Sequence, residues 1–240
     1  MMYNDAPQPR RRGGRNPLPG IIFLLIIIGG IGFFAYKLQT GNVITVDSGA
    51  TLFIDQCTAG FVHIHASGSP NQVVIQGPGG LFVPSSHAQD SDTIIINGCN
   101  LDMTVPASIN LNITADAIEV FGVSGQMNLS TNGGSIVLIQ DTLKGKSKID
   151  NNGGPTIFQG SIDSAASPIL SSNGGTLDIS VPRDATFHLK ISGILETLTT
   201  NIPGLASTNG QLPDMNIGAS SQAMLTLDVN GAQVVLRQGS

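Results

Sequence analysis

The sequence predicts an all-β protein: a β-solenoid of short strands in coils of about twenty residues, behind one N-terminal transmembrane helix. A two-sheet antiparallel β-sandwich is the alternative. Three observations predict it. The 240 residues are 40% hydrophobic but only 11% charged, with 30 Gly and no Trp, a composition for short strands and many turns. The triplet Asn-Gly-Gly recurs from Asn132, Asn152 and Asn173, each time followed by an apolar run. No stretch after Tyr36 has a helical period, whereas "TLDISV" (176–181) and "GQMNLS" (125–130) alternate apolar and polar residues. That alternation buries one strand face and wets the other.

Residues 1–16 read as a disordered cytoplasmic tail carrying Arg10, Arg11, Arg12 and Arg15 against one acid, Asp5. Residues 17–36 read as a signal anchor. Leu18 to Tyr36 is 19 residues without a charge, about 28 Å of helix and close to the hydrocarbon thickness of a bilayer. Arginines stay on the cytoplasmic side, so the expectation is a single-pass membrane protein with its C-terminal part extracytoplasmic. A cleaved signal peptide is the rival, but the apolar run is long and "FFAYKLQTG" is a poor cleavage flank. Gly30, Gly32 and Ala35 match a loose dinucleotide fingerprint, yet neither the preceding strand nor the following soluble helix is there.

Residues 37–42 are a linker, and 43–240 form the β-repeat domain. From Lys37 onward seven Lys/Arg face fifteen Asp/Glu, a net of −8. Predicted strands run over 42–46, 51–55, 61–66, 72–76, 92–97, 101–106, 109–114, 117–122 and 125–130. The triplets then mark successive corners: Asn132, Gly133, Gly134; Asn152, Gly153, Gly154; Asn173, Gly174, Gly175. Asn and Gly tolerate the positive φ that a tight corner asks for. If the triplets are stacked, Ile136, Ile157 and Leu177 form an inward column, with Ile157 displaced by the extra Pro155, and Thr156 and Gln159 face solvent. "LDMTVP" (101–106) and "LDISVP" (177–182) echo each other. Residues 201–222 read as a long loop, and 225–238 as a terminal hairpin around Asn230-Gly231.

Residues with chemical potential are few. His63 and His65 share a strand face; a metal site would need a third ligand such as His87 or Cys57. Against that stands the commoner case of two ordinary strand histidines, and no metal or cofactor is expected. Cys57 and Cys99 are the only cysteines and are candidates for a disulfide outside a membrane. Lys144, Lys146 and Lys148 alternate, predicting one strand face and a contact for an anionic polymer, or simply a solvated edge. The triplets lack the Asp of a calcium-binding turn. No GxSxG, HExxH or phosphate loop occurs, and no catalytic residue is assigned.

The run "VFGVSGQMNLSTNGGSIVLIQ…NNGGPTIFQGSID…SNGGTLDISVPRDATFHLKISG", residues 120–193, resembles the bacterial adhesin-like β-repeat domains. The resemblance implies a repeat architecture and an adhesion role, with no catalytic residues to carry over. The functional expectation is a non-enzymatic, membrane-anchored, extracytoplasmic adhesin-like protein, its surface serving adhesion, envelope organisation or partner binding. An envelope-sensing signalling partner and a glycan-active β-solenoid enzyme are the alternatives. Expected partners are the membrane and a cell-surface glycan or envelope protein, not nucleic acid. Oligomeric state is left open.

Overall fold

Among the described residues the alternation resolves into seventeen strands and no helix. The computed structural model describes residues 42–76, 85–90, 92–205, 212–219 and 222–239, all within one compact unit, residues 41–240. The tail and the membrane segment expected over 1–36 lie outside the described residues. In chain order the strands are β1 (Asn42–Thr45), β2 (Thr51–Ser67), β3 (Gln72–Gln76), β4 (Ser85–Asp90), β5 (Thr93–Asn97) and β6 (Leu101–Pro106). Next come β7 (Asn110–Phe121), β8 (Ser124–Gly125), β9 (Met127–Asn132), β10 (Ile136–Leu143), β11 (Lys148–Asn152) and β12 (Thr156–Ile162). The last are β13 (Ile169–Asn173), β14 (Thr176–Val181), β15 (Phe187–Thr200), β16 (Asp214–Ile217) and β17 (Met224–Gln238).

Two parallel ladders organise them. The first joins β7, β9, β11, β13 and β17. The second joins β7, β10, β12, β14 and β17. β7 and β17 are long enough to turn the corner and serve both. The hydrogen-bonded order therefore returns on itself as a closed eight-strand parallel β-barrel, with outer strands beyond it. β2 and β15 extend the ladders in parallel past β7 and β17, followed by β5 and β6 on β2. Antiparallel strands finish the edges: β3 on β6 and β1 on β3, β4 on β5, and β16 on β15.

This corrects the predicted fold class. An open β-solenoid climbs coil by coil in sequence order; here the ladders close, and order is exchanged at both ends. β2 lies between β7 and the β5/β6 layer, and β17 lies between β15 and the β13/β14 layer. The antiparallel sandwich is excluded as well, because the ladders are parallel. No helix among the described residues is long and apolar enough to cross a membrane.

The interior is a set of aliphatic columns. Ile54, Ile113, Leu129, Ile149, Leu170 and Leu227 stand in register across six adjacent strands, and each is at most 1% exposed. Opposite them Val120, Leu138, Phe158, Ile179 and Leu236 form a second column, fully buried. Identical periodicity on both ladders is what lets one small cross-section fill with branched side chains.

Three finer expectations also change. Ile136 pairs with Thr156, and Thr156 with Leu177, so Thr156 holds the inward position and Ile157 faces outward, half-buried. Pro155 is not an insertion: it occupies the place of Ser135 and Thr176. The hairpin over 225–238 does not form. β17 continues through Asn230-Gly231, bending there at Gly231 (φ 68°), and its two halves pair with β13 and β14 and not with each other. The predicted strand pairs 51–55/61–66 and 109–114/117–122 each merge into one long bent strand, β2 and β7.

Candidate functional site: the polar outer face and its corner

The Asn-Gly-Gly triplets align position for position. Asn132, Asn152, Asn173 and Asn230 fall in one row on the rim of the first ladder. Each side-chain amide donates to the next: Asn152 Nδ2 to Asn132 Oδ1 at 2.8 Å, Asn173 Nδ2 to Asn152 Oδ1 at 2.8 Å, and Asn230 Nδ2 to Asn173 Oδ1 at 3.0 Å. All four residues are exposed, so every amide keeps at least one donor and one acceptor toward solvent.

The two glycines of each triplet are needed for different reasons. Gly133, Gly153 and Gly174 have φ of 91°, 103° and 83°, the left-handed region where a Cβ is costly. Space above them is open. Gly134, Gly154 and Gly175 need no special φ. A Cβ there would fall onto a backbone carbonyl of the adjacent layer: that of Asp116, Gly134 and Gly154 respectively. The first glycine bends the chain, and the second lets layers touch. Beneath the bend a polar side chain caps the turn. Thr131 Oγ1 accepts from Gly134 N at 3.0 Å, and Asn151 Oδ1 accepts from Gly154 N at 3.0 Å. Asn151, wholly buried, also places Nδ2 within 3.2 Å of Gly134 O, 3.0 Å of Pro155 O and 3.1 Å of Thr156 Oγ1. Thr156, standing in the inward column where an aliphatic residue was expected, adds a third oxygen beside that buried amide.

Beside the Asn row the outer face of the first ladder carries two more polar rows. One holds Asn112, Asn128 and Lys148, the other Thr114, Ser130 and Asp150. These six residues line a shallow cavity of about 150 Å³. Lys148 Nζ sits 3.5 Å from Asp150 Oδ2. A second shallow cavity, about 220 Å³, lies over the glycine corner between Gly153, Gly174 and Glu196. Together these rows offer amide, hydroxyl, ammonium and carboxylate groups at the strand spacing of about 4.8 Å.

The predicted lysine face is not built as expected. Only Lys148 lies on a strand; Lys144 precedes a turn and Lys146 is in it, with Ser147 Oγ donating to Lys144 O at 2.7 Å. Cys57 and Cys99 are joined as a disulfide with Cα atoms 4.9 Å apart. It ties the bulged middle of β2 to the turn before β6. His63 and His65 do share an outward face, but Nε2 of His63 meets Glu119 Oε2 at 3.5 Å, and His65 stacks on Phe121 at 4.8 Å between centroids. His87 falls in β4 and its side chain lies outside the described set. Among the described residues no three His, Cys, Asp or Glu side chains gather as a metal site. His188 bridges β15 to β16, with Nε2 2.7 Å from Asp214 Oδ1 and Nδ1 3.0 Å from Asn216 Oδ1.

One group has no signal in the sequence. Asp141 is 1% exposed. Gln140, with φ of 59°, starts a bulge in β10 that turns the next side chain inward. Asp141 Oδ1 accepts from Val123 N at 2.6 Å, while Oδ2 has no protein partner. Burial raises its pKa from 3.8 to about 7, against the opposing pull of backbone N–H donors.

No family model matches the chain, and no curated protein matches it. A solved structure of a "putative cell adhesion protein" from Clostridium sporogenes is similar over 82% of this chain and 98% of that one, at 10% sequence identity and a TM-score of 0.40. A likeness this distant carries no inference about residues or chemistry.

Proposed function

We propose that the chain is a non-enzymatic, adhesin-like protein attached to a membrane through its uncharged N-terminal segment. Residues 41–240 stand outside the cell, and the polar face of the first ladder meets a glycan of the cell surface or envelope. The observation behind this reading is the array on that face: Asn112, Asn128 and Lys148 beside Thr114, Ser130 and Asp150, next to the Asn row. Donors and acceptors repeated at one spacing match a polyhydroxylated polymer, whose own groups repeat. Membrane attachment is supported by the uncharged stretch 16–36 following Arg10, Arg11, Arg12 and Arg15. A glycan array probed with the purified protein tests the contact. Binding should be lost in Asn128→Ala and Asp150→Ala, both on the outer face, and kept in Gln159→Ala on the other ladder. No bound glycan, or equal binding by all three variants, would reject this reading. Protease added to intact cells tests the topology: full protection of residues 41–240 would overturn it.

A further inference from the structure

The outer face of the second ladder has a different chemistry, and its arrangement points to a partner. Two rows run along it. One row carries, in order, Asp102, His63, Glu119, Val137, Ile157 and Asp178, with His63 Nε2 3.5 Å from Glu119 Oε2. The neighbouring row carries no acid; it has His65, Phe121, Ile139, Gln159 and Arg237. In the middle, Phe121, Val137, Ile139 and Ile157 all point outward and are half-buried. Outward positions on a one-sided sheet are ordinarily polar, so an apolar centre with charged ends needs an explanation.

We propose that this face packs against the same face of a second copy of the chain, about a two-fold axis running along the stacking direction. Such an axis keeps each residue in its own layer and exchanges the two rows. Val137 then meets the partner copy's row at the level of Ile139, apolar on apolar. Each acid meets a neutral residue: Asp102 the level of Thr104, Glu119 that of Phe121, Asp178 that of Ser180. No acid faces an acid. Within each copy Arg237 already pairs with Asp178 at 2.8 Å, so that end of the acidic row is neutralised before a second copy arrives, and His65 lies within one layer of the opposite acidic row. With seven Lys/Arg against fifteen Asp/Glu from residue 37 onward, self-approach is generally repulsive. Segregating acids into one row is what permits it here. The same axis leaves the polar face of the first ladder free on both copies.

The footprint sets the strength. Eight layers about 4.8 Å apart span roughly 34 Å, and four residues of strand about 13 Å. That is roughly 450 Å² a side and about 900 Å² in all, at the small end for a specific pair. The association is therefore weak in dilute solution and depends on local concentration, so crosslinking is the suitable measurement. The native cysteines are disulfide-bonded, which leaves an introduced thiol as the reactive one. Full-length protein carrying Ile139→Cys, treated in its membrane with a short bis-maleimide, should give a band at twice the chain mass. Asn128→Cys, on the opposite face, should not. Adding Val137→Glu to the first variant should abolish the band. Gln159→Glu, at an exposed position that folding does not depend on, should weaken it by placing an acid near the partner copy's Asp178. A monomer band alone from Ile139→Cys would overturn the proposal. So would equal dimer bands from both cysteine variants, a band unchanged by Gln159→Glu, or crosslinking to a different protein in place of a second copy.

Discussion

The corner between the two ladders is made in two ways. In the layers of β9 to β14 it is Asn-Gly-Gly: noncovalent, repeated, and dependent on backbone touching backbone from one layer to the next. In the layers of β2 and β5/β6 no such triplet occurs. There β2 bulges between Ile54 and Phe61, and the Cys57–Cys99 disulfide holds the bulge against the turn before β6. Asn100, with φ of 57°, supplies the bend that Gly supplies elsewhere, and its Oδ1 lies 3.4 Å from Phe61 N. A regular corner can be held by steric fit repeated down a stack. An irregular one, without a matching neighbour on each side, is held by a covalent bond.

The largest expected effect tests the steric half of that comparison. Gly154→Ala puts a methyl group onto the carbonyl of Gly134, and neither side can move without parting two layers. The cost should be 4 kcal/mol or more on the order of magnitude seen for severe overpacking, read as a lowered urea midpoint or as failure to fold. A mild effect would mean the layers are not held by this contact. Next comes the covalent half. Replacing Cys57 and Cys99 together with Ala releases a loop of 42 residues, worth about 4 kcal/mol by loop-closure entropy. Hydrogen exchange should rise first in β2, β5 and β6, and uniform exchange across all strands would show that the staple is not local.

Asp141 marks a third bend, within β10, held by a buried carboxyl. Because its folded pKa is raised, the folded state keeps a proton that the unfolded chain has released between about pH 4 and pH 7. The stability this group confers is thus full below about pH 4 and is lost as the pH climbs to about 7, by something on the order of 4 kcal/mol. Asp141→Asn should flatten that part of the stability–pH curve; an unchanged slope would count against the buried acid. The smallest effect belongs to Gly153→Ala. Its φ of 103° is unfavourable for a side chain, but nothing stands nearer than 3.9 Å, so the cost should be about 1–2 kcal/mol. If Gly153→Ala is as damaging as Gly154→Ala, the two glycines do not have the separate roles assigned to them.

Much of the corner was legible in the chain and much of the stacking was not. Asn-Gly-Gly announces itself because its requirements are local: positive φ at the first glycine, no Cβ at the second, a short amide before both. The same local reasoning misplaced Ile157, because a proline looks like an insertion until Thr156 is seen answering the buried Asn151. It also made a hairpin of Asn230-Gly231, which favours a turn in either setting. Whether the strands beyond it come back antiparallel or go on to a second parallel ladder depends on neighbours far away in the chain. The outward stripe of Phe121, Val137, Ile139 and Ile157 was likewise invisible, since these residues come from three strands that only the parallel register sets side by side.

By itself, then, the sequence determined that the protein is built of short alternating strands with Asn-Gly-Gly corners and an uncharged segment behind an arginine cluster. These follow from backbone sterics and from hydrophobic period, which act over a few residues. Only the tertiary structure decided that β7 and β17 close the ladders into a barrel, that β2 and β17 slot in out of sequence order, that Cys57 reaches Cys99, and that Asp141 turns inward. Strand pairing between distant segments is chosen by which arrangement buries the most apolar surface while leaving the fewest backbone groups unpaired, and that choice is a property of all the strands together.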